Sequence, residues 1–319
     1  MGPLRWGIIG TGRIAHTFAS DLQLIDEGVV AAVGSRDLAS AEIFAQEFAI
    51  SRSYGSYEEL VADPEVDAVY VATPHPMHFE NAMLALEHAK PVLVEKAFTM
   101  NAAQARILIA KSRRDGVFMM EAMWTRFLPH VVAIREFVAS GALGELVVFE
   151  ADHGKWFEAD ASSRLFAPEL GGSALLDLGI YPVSFASMLL GRPSVIRSLV
   201  QPSFTGVDGQ VSMIFGYESG AHAVLTCTSF ARSATRACLT GREARLEISG
   251  DFYAPANFDI ITRAGVSRSH HFAVAGRGLQ FQAQEVARCV GAGLVESPVM
   301  PLDETLSIME ILDEVLAAD

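Results

Sequence analysis

Cysteine and basic residues are both scarce in this chain of 319 residues. The three cysteines, Cys227, Cys238 and Cys289, form no Cys-x-x-Cys pair, so we predict reduced core thiols and a cytoplasmic protein. Lysine and arginine number 24 against 38 acidic residues, and the formal charge of −14 argues against a nucleic-acid partner. We expect no apolar run long enough to cross a membrane. Met1–Leu4 leads so directly into a strand-like run that no signal peptide is predicted.

Hydrophobic residues, by contrast, make up 50% of the chain, which is enough for two sizeable cores. Before residue 124, short apolar runs such as Val29–Val33 alternate with helical patterns, which is typical of a parallel α/β sheet. Later runs such as Leu146–His153 are longer and alternate in polarity. They favour an antiparallel sheet, interrupted by one helix at Ala174–Leu190. We therefore predict a nucleotide-binding domain over 1–123 and a substrate-binding, oligomerising domain over 124–319.

A glycine-rich turn lies at residues 7–15, between the first apolar run and a helical pattern. Gly10 would allow a tight turn, Gly12 would let the backbone approach a pyrophosphate, and Ala15 would permit close helix–strand packing. The positive end of the helix would then face the phosphates. We predict a Rossmann dinucleotide site here, although such a turn can also simply join a strand to a helix. The contact residues predicted in this turn are Gly10, Thr11, Gly12, Arg13 and Ile14.

The residues after the second strand-like run indicate which dinucleotide binds. NAD sites usually place an acidic residue there for the ribose 2′-hydroxyl, whereas this chain has Ser35 followed by Arg36. A small hydroxyl leaves room for a 2′-phosphate, and a guanidinium can pair with that phosphate. We predict NADP in preference to NAD. The alternatives are that Arg36 is a solvated surface charge and that Asp37 binds the ribose.

Chemically useful side chains follow two later strands of the first domain. Thr73-Pro74-His75 follows one strand and Glu95-Lys96 ends another. Ligands of open α/β sheets bind beyond the carboxyl ends of the strands. A lysine there is unusual, since burying an unpaired ammonium is costly, but it could pair with Glu95 or a helix C-terminus. His75 and His78 lack a nearby cluster of cysteines or carboxylates, so we predict no metal.

The helix predicted at Ala174–Leu190 carries a second candidate pair. Asp177 and Tyr181 lie four residues apart and should share a helical face. Gly171-Gly172-Ser173 before them would supply a flexible entry and an N-cap. Taken alone, these residues slightly favour a structural interpretation, with Tyr181 in the core and Asp177 placed for the helix dipole.

Together these motifs resemble the glucose–fructose oxidoreductase/inositol dehydrogenase (Gfo/Idh/MocA) family over nearly the whole chain. The shared elements are Gly10-Thr11-Gly12, Ala72-Thr73-Pro74 with His78, Val94-Glu95-Lys96, and Gly171-Gly172-Ser173 leading to Asp177-Leu178-Gly179-Ile180-Tyr181. The runs at residues 4–8, 54–60 and 120–127 resemble, more narrowly, the branch of dimeric dihydrodiol dehydrogenases and NADP-dependent D-xylose dehydrogenases. There are two departures. Ala97 stands where the family usually has proline, and Tyr181 replaces the histidine of many members but matches this branch.

The resemblance implies a Rossmann domain, an open-faced antiparallel sheet domain, and hydride transfer between NADP and a sugar or cyclic diol carbon. It implies catalytic roles for Lys96, Tyr181 and Asp177. The cofactor contacts outside the glycine-rich turn would be Ser35, Arg36, Thr73, Pro74, His75, His78, Glu95 and Lys96. The substrate pocket would be lined by Trp124, Arg126 and Phe157.

The chemistry of a tyrosine beside a lysine fits this reaction. A free tyrosine, with a pKa near 10, is a poor base at neutral pH. A nearby ammonium such as that of Lys96 favours the phenolate, and a shift of roughly two to three pKa units corresponds to about 3–4 kcal/mol. Tyr181 could then exchange a proton with the substrate hydroxyl, with Asp177 orienting this pair or binding another hydroxyl. Two alternatives are a glycoside hydrolase that uses its cofactor transiently and a non-catalytic cofactor sensor.

The second sheet also predicts an assembly. Its strands are apolar on both faces, with Val211, Met213, Phe215, Tyr217, Leu225 and Cys227 on the sides opposite Ile214, Val224 and Phe230. A single helix can cover only one face. Because an exposed apolar sheet face normally marks an interface, we predict a homodimer joined through this sheet.

Overall fold

The computed structural model describes residues 2–317 and divides into two compact units. The first unit contains the chain up to Trp124 together with Ala275–Leu306, and the second contains Thr125–Val274 and the chain from Ser307 onward. The first segment thus ends close to the predicted boundary after residue 123. One continuous second domain over 124–319 is wrong, because residues 275–306 return to the first unit.

The first unit is built on a parallel sheet. Its strands are β1 (Leu4–Ile9), β2 (Gly28–Gly34), β3 (Arg52–Tyr54), β4 (Ala68–Val71), β5 (Val92–Glu95) and β6 (Met119–Ala122). Within residues 2–317 they form six parallel strands in the order β3-β2-β1-β4-β5-β6. Both β4 and β5 are buried along their whole length, as expected of central parallel strands. The strand order reverses between β1 and β4, and ligands of this fold bind beyond the carboxyl ends of strands at such a point.

Helices connect these strands and confirm the predicted alternation. They are α1 (Arg13–Leu22), α2 (Leu38–Glu47), α3 (Tyr57–Ala62), α4 (His78–Glu87) and α5 (Ala102–Asp115). Side chains cap three of them at the N-terminus, since Asp37, Ser56 and Asn101 each accept a hydrogen bond from an amide three residues later. Gly116, with a φ of +66°, ends α5 in the left-handed conformation that glycine adopts at low cost.

The second unit is built on a mostly antiparallel sheet, as predicted. Its strands are β7 (Leu146–Gly154), β8 (Val195–Pro202), β9 (Asp208–Gly216), β10 (His222–Thr228), β11 (Ala237–Gly241), β12 (Ala244–Ile248), β13 (Phe258–Thr262) and β14 (Ser267–His270). Across the described residues their order is β14-β13-β12-β11-β7-β10-β9-β8. The β7–β10 pair is parallel, and the other described pairs are antiparallel.

As predicted, one face of this sheet is covered and the other is exposed. The inward side chains of β9 and β10 that are at most 1% exposed are Val211, Met213, Phe215, Ala223, Leu225 and Cys227. On the opposite face, Ile214 and Val224 pair across the two strands and are 53% and 40% exposed. One face therefore belongs to the core and the other faces solvent.

Two helices of the second unit are α6 (Pro129–Ala139), which the sequence analysis missed, and α7 (Ile180–Leu190). The helix predicted over Ala174–Leu190 is confirmed, and its first part, Leu175–Gly179, is a π-helical turn that continues into α7. By length and composition Pro168–Leu190 could cross a membrane, so the expectation of no such run is wrong. Because 83% of its most apolar window is buried inside the protein, the segment behaves as a core helix.

The returning segment carries α8 (Gln280–Gly291) and the start of α9 (Leu302–Ala317). Asp21 on α1 explains why this segment joins the first unit. Its buried carboxylate accepts backbone hydrogen bonds from Arg277, at 3.0 Å to each oxygen, and from Leu279 at 2.8 Å. Because hydrogen bonds to charged groups contribute about 1.5–3 kcal/mol, this contact fixes the chain just before α8.

Candidate active site

The glycine-rich turn connects the end of β1 to α1. Gly10 has a φ of +103°, and a Cβ there would lie 3.0 Å from the carbonyl oxygen of Ala72, so glycine is required. Gly12 is the N-cap of α1. Within residues 2–317, no side chain caps this helix, and a Cβ on Gly12 would meet no atom within 4 Å. The helix N-terminus therefore faces open space of the kind that a pyrophosphate needs, and Ala15 packs fully buried behind it.

The residues after β2 present a cation to solvent. Arg36 is exposed, whereas Ser35 before it is half-buried. Burial raises the pKa of the Tyr57 phenol, and the guanidinium of Arg36, which hydrogen-bonds that side chain, opposes the rise. Asp37 is the N-cap of α2. Arg36 therefore lies beside the start of α3, and a small hydroxyl, that of Ser35, lies just after the end of β2.

The loop after β4 runs through Ala72, Thr73 and Pro74 and continues as a 3₁₀ turn over His75–Met77. His78, which is buried, starts α4, and its ring nitrogens lie 2.9 Å from the carbonyl oxygens of Thr73 and Ala97. Burial lowers the pKa of His78, and the hydrogen bonds to these two carbonyl oxygens oppose that shift. His78 thus links the loop after β4 to the loop after β5, and its predicted cofactor contact stays a prediction.

Lys96 lies half-buried after the end of β5. Its amide donates to the Glu95 carboxylate at 3.2 Å, and its carbonyl oxygen lies 3.2 Å from His75 Nε2. The buried Glu95 carboxylate also accepts a hydrogen bond from the Tyr70 hydroxyl. The Lys96–Ala97 peptide bond is cis. The backbone on both sides of Lys96 is therefore held in place, although alanine stands where the family usually has proline.

In the second unit, Asp177 lies on the π-helical turn Leu175–Gly179, a form of helix that recurs at functional sites. Two side chains cap the start of this turn. Ser173 Oγ accepts from the amide of Leu176 at 3.0 Å, which confirms the predicted cap, and Asp208 on β9 accepts from the first amide of the turn at 2.6 Å. Burial raises the pKa of Asp208. Asp208 was not predicted from the sequence, because nothing local links it to the helix.

The Asp177 carboxylate is paired with Arg164, which the sequence analysis also missed. Arg164 Nη1 lies 3.1 Å from Oδ1, and Nη2 lies 3.2 Å from Oδ1 and 3.3 Å from Oδ2. The Asp177 side chain is 10% exposed and the Arg164 side chain 50% exposed. A buried carboxylate therefore contacts a solvent-accessible guanidinium.

Tyr181, the second residue of α7, is buried among other rings. Its ring centroid lies 4.7 Å from that of Tyr253 and 5.3 Å from that of His153. Tyr253 stacks on His153 at 4.5 Å, and the Lys155 ammonium lies 4.9 Å from the Tyr253 centroid. These rings, His153, Tyr181 and Tyr253, form an aromatic cluster that restricts the Tyr181 phenol. One sequence signal for it was available, because His153 occupies an inward position of the alternating strand β7.

The three predicted pocket residues have different surroundings. Trp124 is buried in the 3₁₀ turn Trp124–Phe127, and Phe157 is half-buried just beyond β7. Arg126 is 3% exposed, and its Nε and Nη2 donate to the hydroxyl and carbonyl oxygens of Ser184 at 3.2 and 3.0 Å. The Arg126 guanidinium therefore contacts α7, and the predicted substrate contact of this residue stays a prediction.

Two family descriptions match the chain. "Oxidoreductase family, NAD-binding Rossmann fold" matches residues 4–123, and "GFO/IDH/MocA C-terminal domain" matches residues 131–251. Trans-1,2-dihydrobenzene-1,2-diol dehydrogenase from Mus musculus is 39% identical, over 98% of this chain and 95% of its own. These matches extend through both units of the fold.

Two solved structures are also similar to this chain over nearly its whole length. KijD10, a 3-ketoreductase from Actinomadura kijaniata in complex with NADP and TDP-benzene, has a TM-score of 0.87 at 26% identity, over 99% of this chain and 98% of its own. Levoglucosan dehydrogenase in complex with NADH and levoglucosan has a TM-score of 0.90 over 99% of this chain and 97% of its own, and at 18% identity it shows the fold alone. The family predicted from the motifs is confirmed: the chain belongs to the GFO/IDH/MocA family of oxidoreductases.

Proposed function

We propose that this chain is an NADP-dependent dehydrogenase that acts on a hydroxyl-bearing carbon of a sugar or cyclic diol. The observation that carries the proposal is the 39% identity to the mouse trans-1,2-dihydrobenzene-1,2-diol dehydrogenase over nearly the full length of both chains. The uncapped N-terminus of α1 adds structural support, since its open front suits a dinucleotide pyrophosphate.

Two observations support NADP over NAD. Arg36 is exposed after β2, where its guanidinium could pair with a 2′-phosphate. Asp37, the alternative ribose ligand, is engaged as the N-cap of α2. Thr73, Pro74, His75 and Glu95 complete the proposed cofactor site, with the glycine-rich turn and Ser35. His78 would hold two of its loops together.

A bound nicotinamide would supply the hydride acceptor or donor. We assign the proton to Tyr181, which would accept it from the substrate hydroxyl during oxidation and return it during reduction. Lys96 would favour the phenolate through its positive charge, and lowering a tyrosine pKa by roughly two to three units corresponds to about 3–4 kcal/mol. Asp177 would accept a hydrogen bond from a substrate hydroxyl or orient Tyr181. Trp124 and Phe157 would offer apolar surface to the substrate ring.

The assay that tests this function follows the absorbance of reduced nicotinamide. The purified chain is incubated with NADP⁺ and a panel of aldoses, inositols and cyclic diols. Reduction of the cofactor with at least one of them is expected. Cleavage of a glycoside without net cofactor reduction would instead indicate the transient-cofactor hydrolase, and tight NADPH binding without turnover on either panel would indicate a sensor.

We further propose that the chain works as a homodimer in the cytoplasm. The exposed Ile214 and Val224 support an interface on the outer face of the second sheet. The three cysteines are free thiols in the structure, which suits a reducing compartment.

A further inference from the structure

The ion pair between Arg164 and Asp177 has a forked geometry. Two guanidinium nitrogens reach both carboxylate oxygens, with distances between 3.1 and 3.3 Å. This forked contact fixes the plane of a carboxylate as well as its charge, which a lysine ammonium cannot do. The orientation of Asp177 is therefore set by a residue outside its own helix.

The backbone that carries Arg164 is itself held by packing. Leu165, Phe166 and Ala167 are each at most 4% exposed, and Phe166 packs against the Phe204 ring with centroids 5.2 Å apart. The amides of Phe166 and Ala167 both donate to the carbonyl oxygen of Ser163, at 3.0 and 2.8 Å. The position of the Arg164 Cα is thus imposed by the neighbours of Arg164, independently of the ion pair.

Gly172 brings this segment close to the turn that carries Asp177. Its amide donates to the carbonyl oxygen of Ala167 at 2.9 Å, and a Cβ on Gly172 would lie 2.7 Å from the carbonyl oxygen of Leu165. Any larger residue at position 172 would push this segment away from the turn. Glycine there therefore lets the Arg164 side chain reach Asp177. The glycine pair before Ser173 therefore does more than permit flexibility.

Because the Asp177 carboxylate is buried, its charge depends on the residue that pairs with it. The Asp177 side chain is 10% exposed, and a carboxylate taken out of water needs a paired charge and hydrogen bonds to remain ionised. The Arg164 side chain is 50% exposed, so much of its own hydration is kept. Replacing Arg164 would therefore change both the orientation of the Asp177 carboxylate and the compensation of its charge.

We propose that Arg164 is a positioning residue for the reaction, holding the Asp177 carboxylate in the orientation in which it meets a substrate hydroxyl or Tyr181. This inference rests on the proposed function and on the role of Asp177 within it. Arg164 touches neither cofactor nor substrate in this assignment and acts through Asp177 alone.

The experiment is a double-mutant cycle in the full-length enzyme with a substrate found by the panel assay. Arg164→Gln is expected to lower kcat by about 10–100-fold, because small displacements of a reacting geometry cost about that much, and to leave the dissociation constant of NADPH unchanged. Arg164→Lys should have an intermediate kcat, since it keeps the charge and loses the fork. In an Asp177→Asn background, Arg164→Gln should have little further effect on kcat.

Arg192→Gln is the matched control. Arg192 lies in the same unit and pairs with Glu310 and Glu314 at the surface, with its side chain 42% exposed. Its loss should leave kcat unchanged. Thermal unfolding of every variant separates a positioning effect from misfolding, and the cycle can be run with Arg164→Lys if the glutamine variant does not fold.

Three results would overturn the inference. These are wild-type kcat in Arg164→Gln, an equal loss of kcat in Arg164→Gln with and without Asp177→Asn, and an equal loss in Arg192→Gln. Each can occur while Tyr181→Phe is inactive, in which case the proposed function stands and only the role of Arg164 is lost. Full turnover by Tyr181→Phe would instead remove the catalytic assignment itself.

Discussion

The carboxylate of Asp37 accepts hydrogen bonds from both the backbone amide and the hydroxyl of Ser40, at 3.1 and 2.6 Å. These two bonds hold the pKa of Asp37 below its usual value. They also make Asp37 the N-cap of α2, so binding a ribose hydroxyl would compete with helix capping. Arg36, one residue earlier, is exposed. The end of β2 thus has an exposed cation next to a carboxylate that is engaged in capping α2.

The first prediction is a cofactor preference that depends on Arg36. A charge-assisted contact with the 2′-phosphate should favour NADPH over NADH by about 1.5–3 kcal/mol, or roughly 10–100-fold. Arg36→Ala should remove most of that ratio by weakening NADPH binding and sparing NADH. Titrations of both cofactors measure it. Arg114→Ala, which replaces an exposed arginine on α5, is the control. Equal affinities of the unaltered chain for the two cofactors would contradict the assignment.

The second prediction concerns proton transfer. Tyr181→Phe should lower kcat by about 10²–10⁴-fold and leave NADPH binding nearly intact, because only the hydroxyl is removed. Lys96→Met should be similarly damaging. If the two side chains act as a unit, the double variant should be little worse than either single variant. Steady-state kinetics across pH would decide, and multiplicative losses would show that the two residues act separately.

The sequence predicted best what is local along the chain. The glycine-rich turn, the Ser173 cap and the strand alternation each depend on neighbours within a few residues, and the structure has all three. It could not predict contacts between distant segments. Asp21 holds Leu279, which lies 258 residues later, and Asp208 caps a turn 33 residues earlier. No local pattern distinguishes such carboxylates from ordinary surface ones. The second domain was therefore predicted as one continuous segment, and the contacts of Asp21 and Asp208 were not predicted.

The same limit applies to the candidate site. Tyr181 was found through its motif, but the rings that hold it come from β7 and from the segment before β13. Arg164 lies 13 residues before its partner, within a loop whose conformation depends on buried side chains. Arg126 was placed in the pocket by resemblance, whereas its burial against Ser184 became visible only in the fold.

The third prediction is a pH dependence of stability caused by His130 on α6. This side chain is fully buried, and burial lowers its pKa to about 4. Above the unfolded-state pKa of about 6.5 the ring is neutral in both states and has no effect. Between about pH 6.5 and 4 the unfolded chain binds a proton that the folded chain does not, so stability falls as pH falls. At pH 5 the loss should be about 2 kcal/mol.

Urea unfolding of His130→Gln tests this effect. The decrease in the free energy of unfolding between pH 7 and pH 5 should be smaller than in the unaltered chain by about 2 kcal/mol. His271→Gln, at an exposed position of the same unit, should behave like the unaltered chain. An unchanged pH dependence in His130→Gln would mean that His130 has the same pKa in the folded and unfolded chains.

The outer face of the second sheet carries exposed apolar side chains among its polar ones. Ile214 pairs with Val224 on β10 and with Arg197 on β8. Leu199, also on β8, is 71% exposed. Such a face in water favours burial against a second copy, and a twofold arrangement would pair the same surface with itself.

The fourth prediction is therefore a homodimer that a single charge can break. Size exclusion coupled to light scattering at micromolar protein should give twice the chain mass of 34.4 kDa. Ile214→Glu should give a monomer, because two carboxylates would be brought together at the centre of a twofold interface and lose their hydration. Ile43→Glu is the matched control, since Ile43 is 68% exposed on α2 in the first unit and should stay dimeric. A monomer in the unaltered chain would mean that this sheet face is simply solvated, and a dimer that survives Ile214→Glu would move the interface elsewhere.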